Sequence, residues 1–229
     1  QQAIDAGYKT INITGGEPLV YYDFDAYLEG LSGLDKKKCR FVLRTSFAFP
    51  ISDRLMQRLC SVFDEIIVSI DGDEETHDSI RGRGTWRHAV ENIKRAINMG
   101  ARIAISAVLT PEQRTGRPVE FLKTFCREQG VKKLVIQGPR QLGRAKDSTC
   151  DSFYFEWIAD KKKPDQISPK YSCGLGRLLY VQPDGKVFPC YAWCEKEHQL
   201  GELSKESLQE IFERKQFLDV INAGVDTNE

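Results

Sequence analysis

The chain has 229 residues, enough for one good core or for one core plus a small appended unit. Its 33 basic and 33 acidic side chains cancel to a formal net charge of +0, and no basic stripe with interleaved aromatics asks for a nucleic acid. No apolar run approaches the roughly 20 residues that span a bilayer, and no secretory signal opens the chain, so a cytoplasmic protein without a membrane partner is expected.

Five short β-like runs follow one another, at 10–13, 40–45, 65–70, 102–109 and 133–137. Their starts lie about thirty residues apart, the length of one βα unit. The clearest intervening helix starts with Thr85 as its expected N-cap and carries Trp86, Ala89, Val90, Ile93, Ala96 and Ile97 on one stripe, up to Gly100. A second runs over about 119–129 and ends at Gly130. Alternating β and α predicts a parallel sheet, open or closed as a barrel. In such sheets ligands bind at the carboxyl ends of the strands. The unusual segments of this chain all fall there: Gly15-Gly16-Glu17-Pro18 after the first run, Thr45-Ser46 after the second, Ser69-Ile70-Asp71-Gly72 after the third and Gly143-Arg144-Ala145 after the fifth. The segment 71–82, which ends in Arg81 and Gly82, reads as a loop.

The periodicity breaks near residue 147. Residues 146–169 are polar, with Lys161, Lys162, Lys163 and two prolines, and read as a linker. Beyond it, 178–182 and 186–188 flank Pro183-Asp184-Gly185 as a β-hairpin, and 204–223 reads as a helix with Leu208, Ile211, Phe212 and Phe217 on its apolar face. There is no internal repeat.

Seven cysteines without a secretory signal argue against a disulfide framework. Cys60 and Cys126 fall on apolar helix faces and read as buried thiols, whereas Cys39 and Cys150 lie in polar turns without a motif. Folding about Asp184 brings Cys190 back beside residue 178 and the chain near Cys194 toward Cys173. Three sulfurs then converge, and iron–sulfur, zinc and a metal-free set of buried thiols all remain open.

The order Gly-Gly-Glu-Pro, Ser-x-Asp-Gly, Gly-Arg-Ala, then Cys-x11-Gly-x4-Cys resembles the radical S-adenosylmethionine (SAM) superfamily, in particular members with a SPASM or twitch auxiliary-cluster domain. The resemblance covers essentially the whole chain. It implies a partial (β/α)6 TIM-like barrel over 1–150, and over 151–229 a linker and a small β-hairpin plus helix auxiliary domain. It implies that Gly15, Gly16, Glu17 and Pro18 receive the SAM amino group, and that Ser69 and Arg81 bind its carboxylate. It also implies that Asp71 reaches the ribose hydroxyls, that Ser46 or Thr45 supplies a hydroxyl, and that Cys173, Cys190 and Cys194 ligate an auxiliary iron–sulfur cluster.

Thr45-Ser46-Phe47 departs from the Thr-Asn-Gly usual in the family. The family's Cys-x3-Cys-x2-Cys loop for the catalytic [4Fe–4S] cluster is expected upstream of Gln1, and further cluster cysteines beyond Glu229, so the chain alone is expected to be inactive. The implied activity is generation of a 5′-deoxyadenosyl radical that abstracts hydrogen from a substrate. The expected substrate is a ribosomally made peptide or protein undergoing crosslinking, epimerisation or oxidation, with a flavodoxin- or ferredoxin-type electron donor. Two other readings stand beside it. One is a degenerate, non-catalytic barrel that binds a peptide or partner protein. The other is a hydrolase using Glu17 and Asp71 as an acid–base pair, which explains neither Arg81 nor the hairpin cysteines.

Overall fold

The computed structural model describes residues 1–114, 117–139, 154–159, 178–191, 193–214, 217 and 219, and the backbone of 166–168. The chain divides into two compact units, Lys9–Lys170, and Gln1–Tyr8 with Tyr171–Glu229. The expected boundary at residue 150 falls inside the first unit.

The larger unit is built on one seven-stranded sheet in simple sequence order, β1 to β7. Strands β1 (Thr10–Ile13), β2 (Arg40–Thr45), β3 (Glu65–Ser69), β4 (Ile103–Val108) and β5 (Lys133–Gln137) are parallel neighbours. The middle strands carry continuous buried apolar runs, such as Phe41-Val42-Leu43 and Ile66-Ile67-Val68, as strands covered on both faces must. At the edge, β1 instead leaves Thr10 and Asn12 exposed. Between the strands run α2 (Phe24–Ser32), α3 (Asp53–Val62), α4 (Glu74–Arg81), α5 (Thr85–Asn98) and α6 (Arg117–Glu128), numbered after the short α1 (Gln2–Asp5) of the smaller unit.

Four expectations are corrected. The polar stretch read as a linker contains β6 (Tyr154–Ile158), which pairs antiparallel with β5, and β7 (Gln166–Ser168), which pairs antiparallel with β6, and the two extend the sheet. The period-two alternation of buried Phe155 and Trp157 with half-exposed neighbours specifies β6, and it is masked in the sequence by the lysines and prolines that follow. Residues 74–81 form α4, not a loop, because the Asp73 carboxylate caps the backbone N–H of Thr76. Thr85 is the first residue of α5 and not its cap. Asp78 does the capping instead, accepting from Gly84 N at 2.6 Å and Trp86 N at 2.9 Å, and these N–H groups hold its carboxyl below the ordinary range. Cys39 is buried at the start of β2, whereas Cys60 is only half-buried. Cys126 is buried as expected, and burial pushes its thiol up to about 12.

The smaller unit holds a three-stranded antiparallel sheet in the order β10 (Gly201–Glu202), β9 (Lys186–Phe188), β8 (Tyr180–Val181). The β8–β9 pair is the expected hairpin, with Tyr180 opposite Phe188, and Gly185 supplies the positive φ (+85°) that its turn requires. Val187, Leu200, Ile211 and Phe217 form the core. The C-terminal helix begins later than expected, as α7 (Leu208–Phe212), because Ser207 and Glu210 close a reciprocal capping box. Its Leu208 N–H donates to Gln2 Oε1 of α1 at 2.6 Å. A Cβ at Gly201 would fall 2.6 Å from Ile211 Cγ1, so the core closes only over a glycine there.

Trp157 is 8% exposed and lies under the Arg127 guanidinium, 5.4 Å from the ring centroid. Trp157→Ala is expected to destabilise the larger unit by about 3–5 kcal/mol in urea unfolding. A loss under about 0.5 kcal/mol, the range of surface substitutions, would mean that β6 is peripheral.

Candidate functional site

Two carboxylates tie the carboxyl ends of the parallel strands together in pairs. Glu17, in the turn after β1, reaches the turn after β2. Its Oε1 accepts from Thr45 Oγ1 at 2.6 Å and from Leu19 N at 3.3 Å, and its Oε2 accepts from Ser46 N at 2.7 Å and Ser46 Oγ at 2.5 Å. A carboxylate offers about four lone-pair sites, so Glu17 is saturated by the chain itself. Gly15 and Gly16 beside it are open: a Cβ at either would meet no heavy atom within 4 Å. Pro18 starts a short 3-10 turn, Pro18–Val20.

Asp71, just past β3, makes the second tie. It is 1% exposed; its Oδ1 accepts from Val108 N at the end of β4 (3.0 Å), and its Oδ2 accepts from Arg81 Nε (2.5 Å). Arg81 is the last residue of α4, and its Nη1 and Nη2 have no partner among the described residues. Ser69 closes β3 opposite Ser106 of β4, and its hydroxyl likewise has no partner among the described residues. The expected contact of Asp71 with ribose hydroxyls does not fit this geometry. The carboxylate points inward and is engaged on both oxygens, so Asp71 orients Arg81.

Two residues that the sequence reading missed complete the rim. His77 of α4 is fully buried, and its Nδ1 accepts from Asp71 N at 3.2 Å. Burial lowers its pKa, reinforced by Arg81, while Asp71 and Asp78 pull the other way. Asn92 of α5 is buried too, and its amide donates to the carbonyls of Phe47 (3.1 Å) and Phe49 (2.8 Å). The signal for Asn92 was available, since a polar residue sits on the stripe of Ala89, Ile93 and Ala96.

In the smaller unit Cys190 and Cys194 share the turn that leaves β9. Cys190 is 7% exposed, and the Cys194 thiol lies 3.6 Å from the Cys190 carbonyl, its pKa raised mainly by burial. Cys173 and Gly143-Arg144-Ala145 lie outside the described residues. Among the described residues no three His, Cys, Asp or Glu side chains are grouped as a metal site.

The rim thus presents an open pair of glycines and an oriented guanidinium, and the small β unit two thiols in one turn. The chain belongs to the radical SAM superfamily, which residues 1–125 match, and residues 173–228 match SPASM, an iron–sulfur cluster-binding domain. It is 27% identical over 129 residues to a GTP 3′,8-cyclase of Aliarcobacter butzleri (strain RM4018), covering 56% of this chain and 39% of the cyclase. Its fold is similar to Streptococcus suis SuiB bound to precursor peptide SuiA (TM-score 0.71, 16% identity, 96% of this chain and 57% of that one). It is also similar to anSMEcpe with bound AdoMet (TM-score 0.68, 18% identity, 96% and 68%). The chain thus spans about two fifths of the cyclase and somewhat over half of SuiB. At these identities the two structures show the fold, that of the radical SAM barrels. No helix among the described residues is long and apolar enough to cross a membrane.

Membership implies SAM and iron–sulfur clusters, and the residues present fit both. Arg81 has Nη atoms without a partner among the described residues that suit a carboxylate, Gly15 and Gly16 expose their backbone, and Cys190 and Cys194 place two thiols in one turn.

Protonation of His77 would remove the acceptor that Asp71 N uses. The unfolded chain binds that proton first, because its histidine keeps the ordinary pKa of about 6.5. The stability linked to His77 is therefore complete above about pH 6.5 and is lost as pH falls from there toward the lowered folded value. Urea midpoints of the wild type are expected to drop between about pH 7 and pH 5.5, and His77→Asn, which keeps an acceptor near Nδ1, should flatten that drop. An equal drop in the variant would assign the pH dependence to other groups.

Proposed function

We propose that this chain is the barrel and SPASM portion of a cytoplasmic radical SAM enzyme that modifies a ribosomally made peptide or protein. The observation that carries the cofactor reading is Arg81, held through Nε by a buried aspartate with both Nη atoms left over at the strand ends. Its fork takes the SAM carboxylate together with the Ser69 hydroxyl. The carbonyls around Gly15 and Gly16 take the ammonium, while Glu17, Thr45 and Ser46 hold that turn in place. When SAM and a reduced [4Fe–4S] cluster are bound, they supply a 5′-deoxyadenosyl radical for hydrogen abstraction. The task of the chain is to position SAM and to exclude solvent. Cys190 and Cys194, with Cys173, hold the auxiliary cluster, and a small one-electron donor such as a flavodoxin or ferredoxin supplies reduction.

The peptide reading is supported by the SPASM match and by the fold shared with SuiB, whose structure carries a precursor peptide. The cyclase match favours a second substrate class, a nucleotide, but it spans only 129 residues.

The test is anaerobic incubation of the reconstituted full-length protein with SAM and dithionite, scoring 5′-deoxyadenosine. Iron-dependent product is expected, and none would favour a degenerate binding module. Arg81→Ala should weaken SAM binding by about 1.5–3 kcal/mol, the range of hydrogen bonds to charged groups, without unfolding the chain; unchanged affinity would remove Arg81 from the site. Cys190→Ala should cost the auxiliary iron and leave the catalytic iron in place, and an unchanged iron content would strike Cys190 from the ligand set.

A further inference from the structure

Phe47 has a backbone that its side chain disfavours. Its φ is +51°, and among the described residues no other non-glycine residue has a positive φ. A bulky residue in that region is an outlier, held there only when its surroundings over-determine it. Three restraints surround this one. The ring is fully buried. Phe47 N donates to Thr45 Oγ1 at 3.1 Å. Asn92 donates to the carbonyls on either side of Ala48, those of Phe47 and Phe49. Asn92 is itself aligned, because its Oδ1 accepts from Arg95 Nη1 at 3.0 Å while Arg95 Nη2 donates to Asp53 at 2.6 Å.

The same short segment supplies three of the four hydrogen bonds to Glu17: Thr45 Oγ1, Ser46 N and Ser46 Oγ. If Phe47 relaxed to negative φ, the Ser46–Phe47 peptide would rotate, Phe47 N would leave Thr45 Oγ1, and the Thr45 and Ser46 hydroxyls would lose their alignment on the carboxylate. The turn at Gly15 and Gly16, which has no side chains to pack, would then lose its lateral side-chain hydrogen bonds among the described residues.

We infer that Asn92 is a positioning residue for the SAM-binding rim: it holds Phe47 in the left-handed conformation, and through Thr45 and Ser46 it keeps Glu17 and the Gly15-Gly16 turn in their binding geometry. This rests on the rim being the SAM site. Asn92 touches no ligand and acts from the far side of the turn.

The inference separates positioning from plain stability. Asn92→Ala removes the restraint, and the turn relaxes. Adding Phe47→Gly restores a residue that adopts positive φ readily, so the turn regains its shape without Asn92, even though the buried ring is gone and the melting midpoint falls further. SAM affinity and thermal stability therefore move in opposite directions from the single to the double variant.

The test is equilibrium dialysis of SAM against the full-length protein, anaerobic and without reductant, with thermal melts of the same samples. Asn92→Ala is expected to raise the SAM Kd by about tenfold, and Phe47→Gly/Asn92→Ala to return it toward the wild-type value at a lower melting midpoint. A Kd that worsens along with stability in the double variant overturns the inference. Where that variant does not fold, Asn92→Asp carries the test: it keeps the size and loses the amide donors, and an unchanged Kd well below its midpoint overturns the inference equally. Arg81→Ala, run alongside, separates the two layers. Weakened binding there with wild-type binding in Asn92→Asp sinks the positioning role alone. Wild-type binding in Arg81→Ala, or no binding by the wild type, sinks the site reading and the inference with it.

Discussion

The saturation of Glu17 is the constraint on which the rim depends. A turn containing two adjacent glycines cannot be fixed by its own side-chain packing, and a turn that must admit a ligand to its backbone cannot be covered by neighbours. The chain resolves the conflict by fixing the turn from the side, through one carboxylate that accepts two hydroxyls and two backbone N–H groups. Placing a half-buried carboxylate there costs free energy unless its lone pairs are filled, and here all are. The same saturation leaves Glu17 to contribute geometry and local charge to the rim beside the open backbone of Gly15 and Gly16. It also disposes of an acid–base role for Glu17, since a general base needs an open lone pair aimed at substrate.

Asp71 meets a related problem with the opposite outcome. It too bridges two strand ends, from β3 to the Val108 N–H of β4, yet it binds Arg81 through one nitrogen and leaves the rest of the fork exposed to a ligand. An arginine at a helix end has several rotatable bonds, and ordering them on ligand binding would cost affinity. A buried aspartate that fixes Nε removes much of that cost in advance. His77 belongs to the same device. It accepts from the backbone of Asp71 only while neutral, and burial favours the neutral ring. Orientation at the surface thus traces back to a histidine with no exposure at all.

How much of this the sequence discloses depends on the range of the interaction. The five parallel strands were legible because buried parallel strands are written as contiguous apolar runs. The segment 154–158 was not, because its alternation spans five residues inside a polar stretch, and only the presence of β5 turns it into a strand. Cap assignment failed at Thr85 for the same reason: Asp78 caps α5 from another helix, across the Gly82–Gly84 turn. The sequence places Gly15, Gly16, Glu17 and Ser69 at strand ends and Arg81 in the segment that follows β3, where the structure has them, but it does not disclose their partners. Nothing in the sequence says that Glu17 faces Thr45 and Ser46, or that Asn92 reaches back more than forty residues to Phe47 and Phe49. Phe47, where the family usually has glycine, takes a left-handed backbone, and the hydrogen bonds that restrain it come from Asn92 on another helix, where local reading has no access to them.

The smaller unit faces a constraint of scale. Its described core, Val187, Leu200, Ile211 and Phe217, is tight enough to demand a glycine at 201, but it is small. Domains of this size bury too little apolar surface to offset chain entropy comfortably, and they are commonly held by disulfides or metals. Here Tyr180 pairs with Phe188, and the turn after β9 returns Cys194 to the Cys190 carbonyl, so two thiols sit close together just past the hairpin. A cluster bound by a domain of this size contributes its binding free energy to folding. Under the proposed ligand role of Cys190 and Cys194, the hairpin would present the thiols and the cluster would cross-link a core too small to hold itself, so loss of the cluster should loosen the register around them.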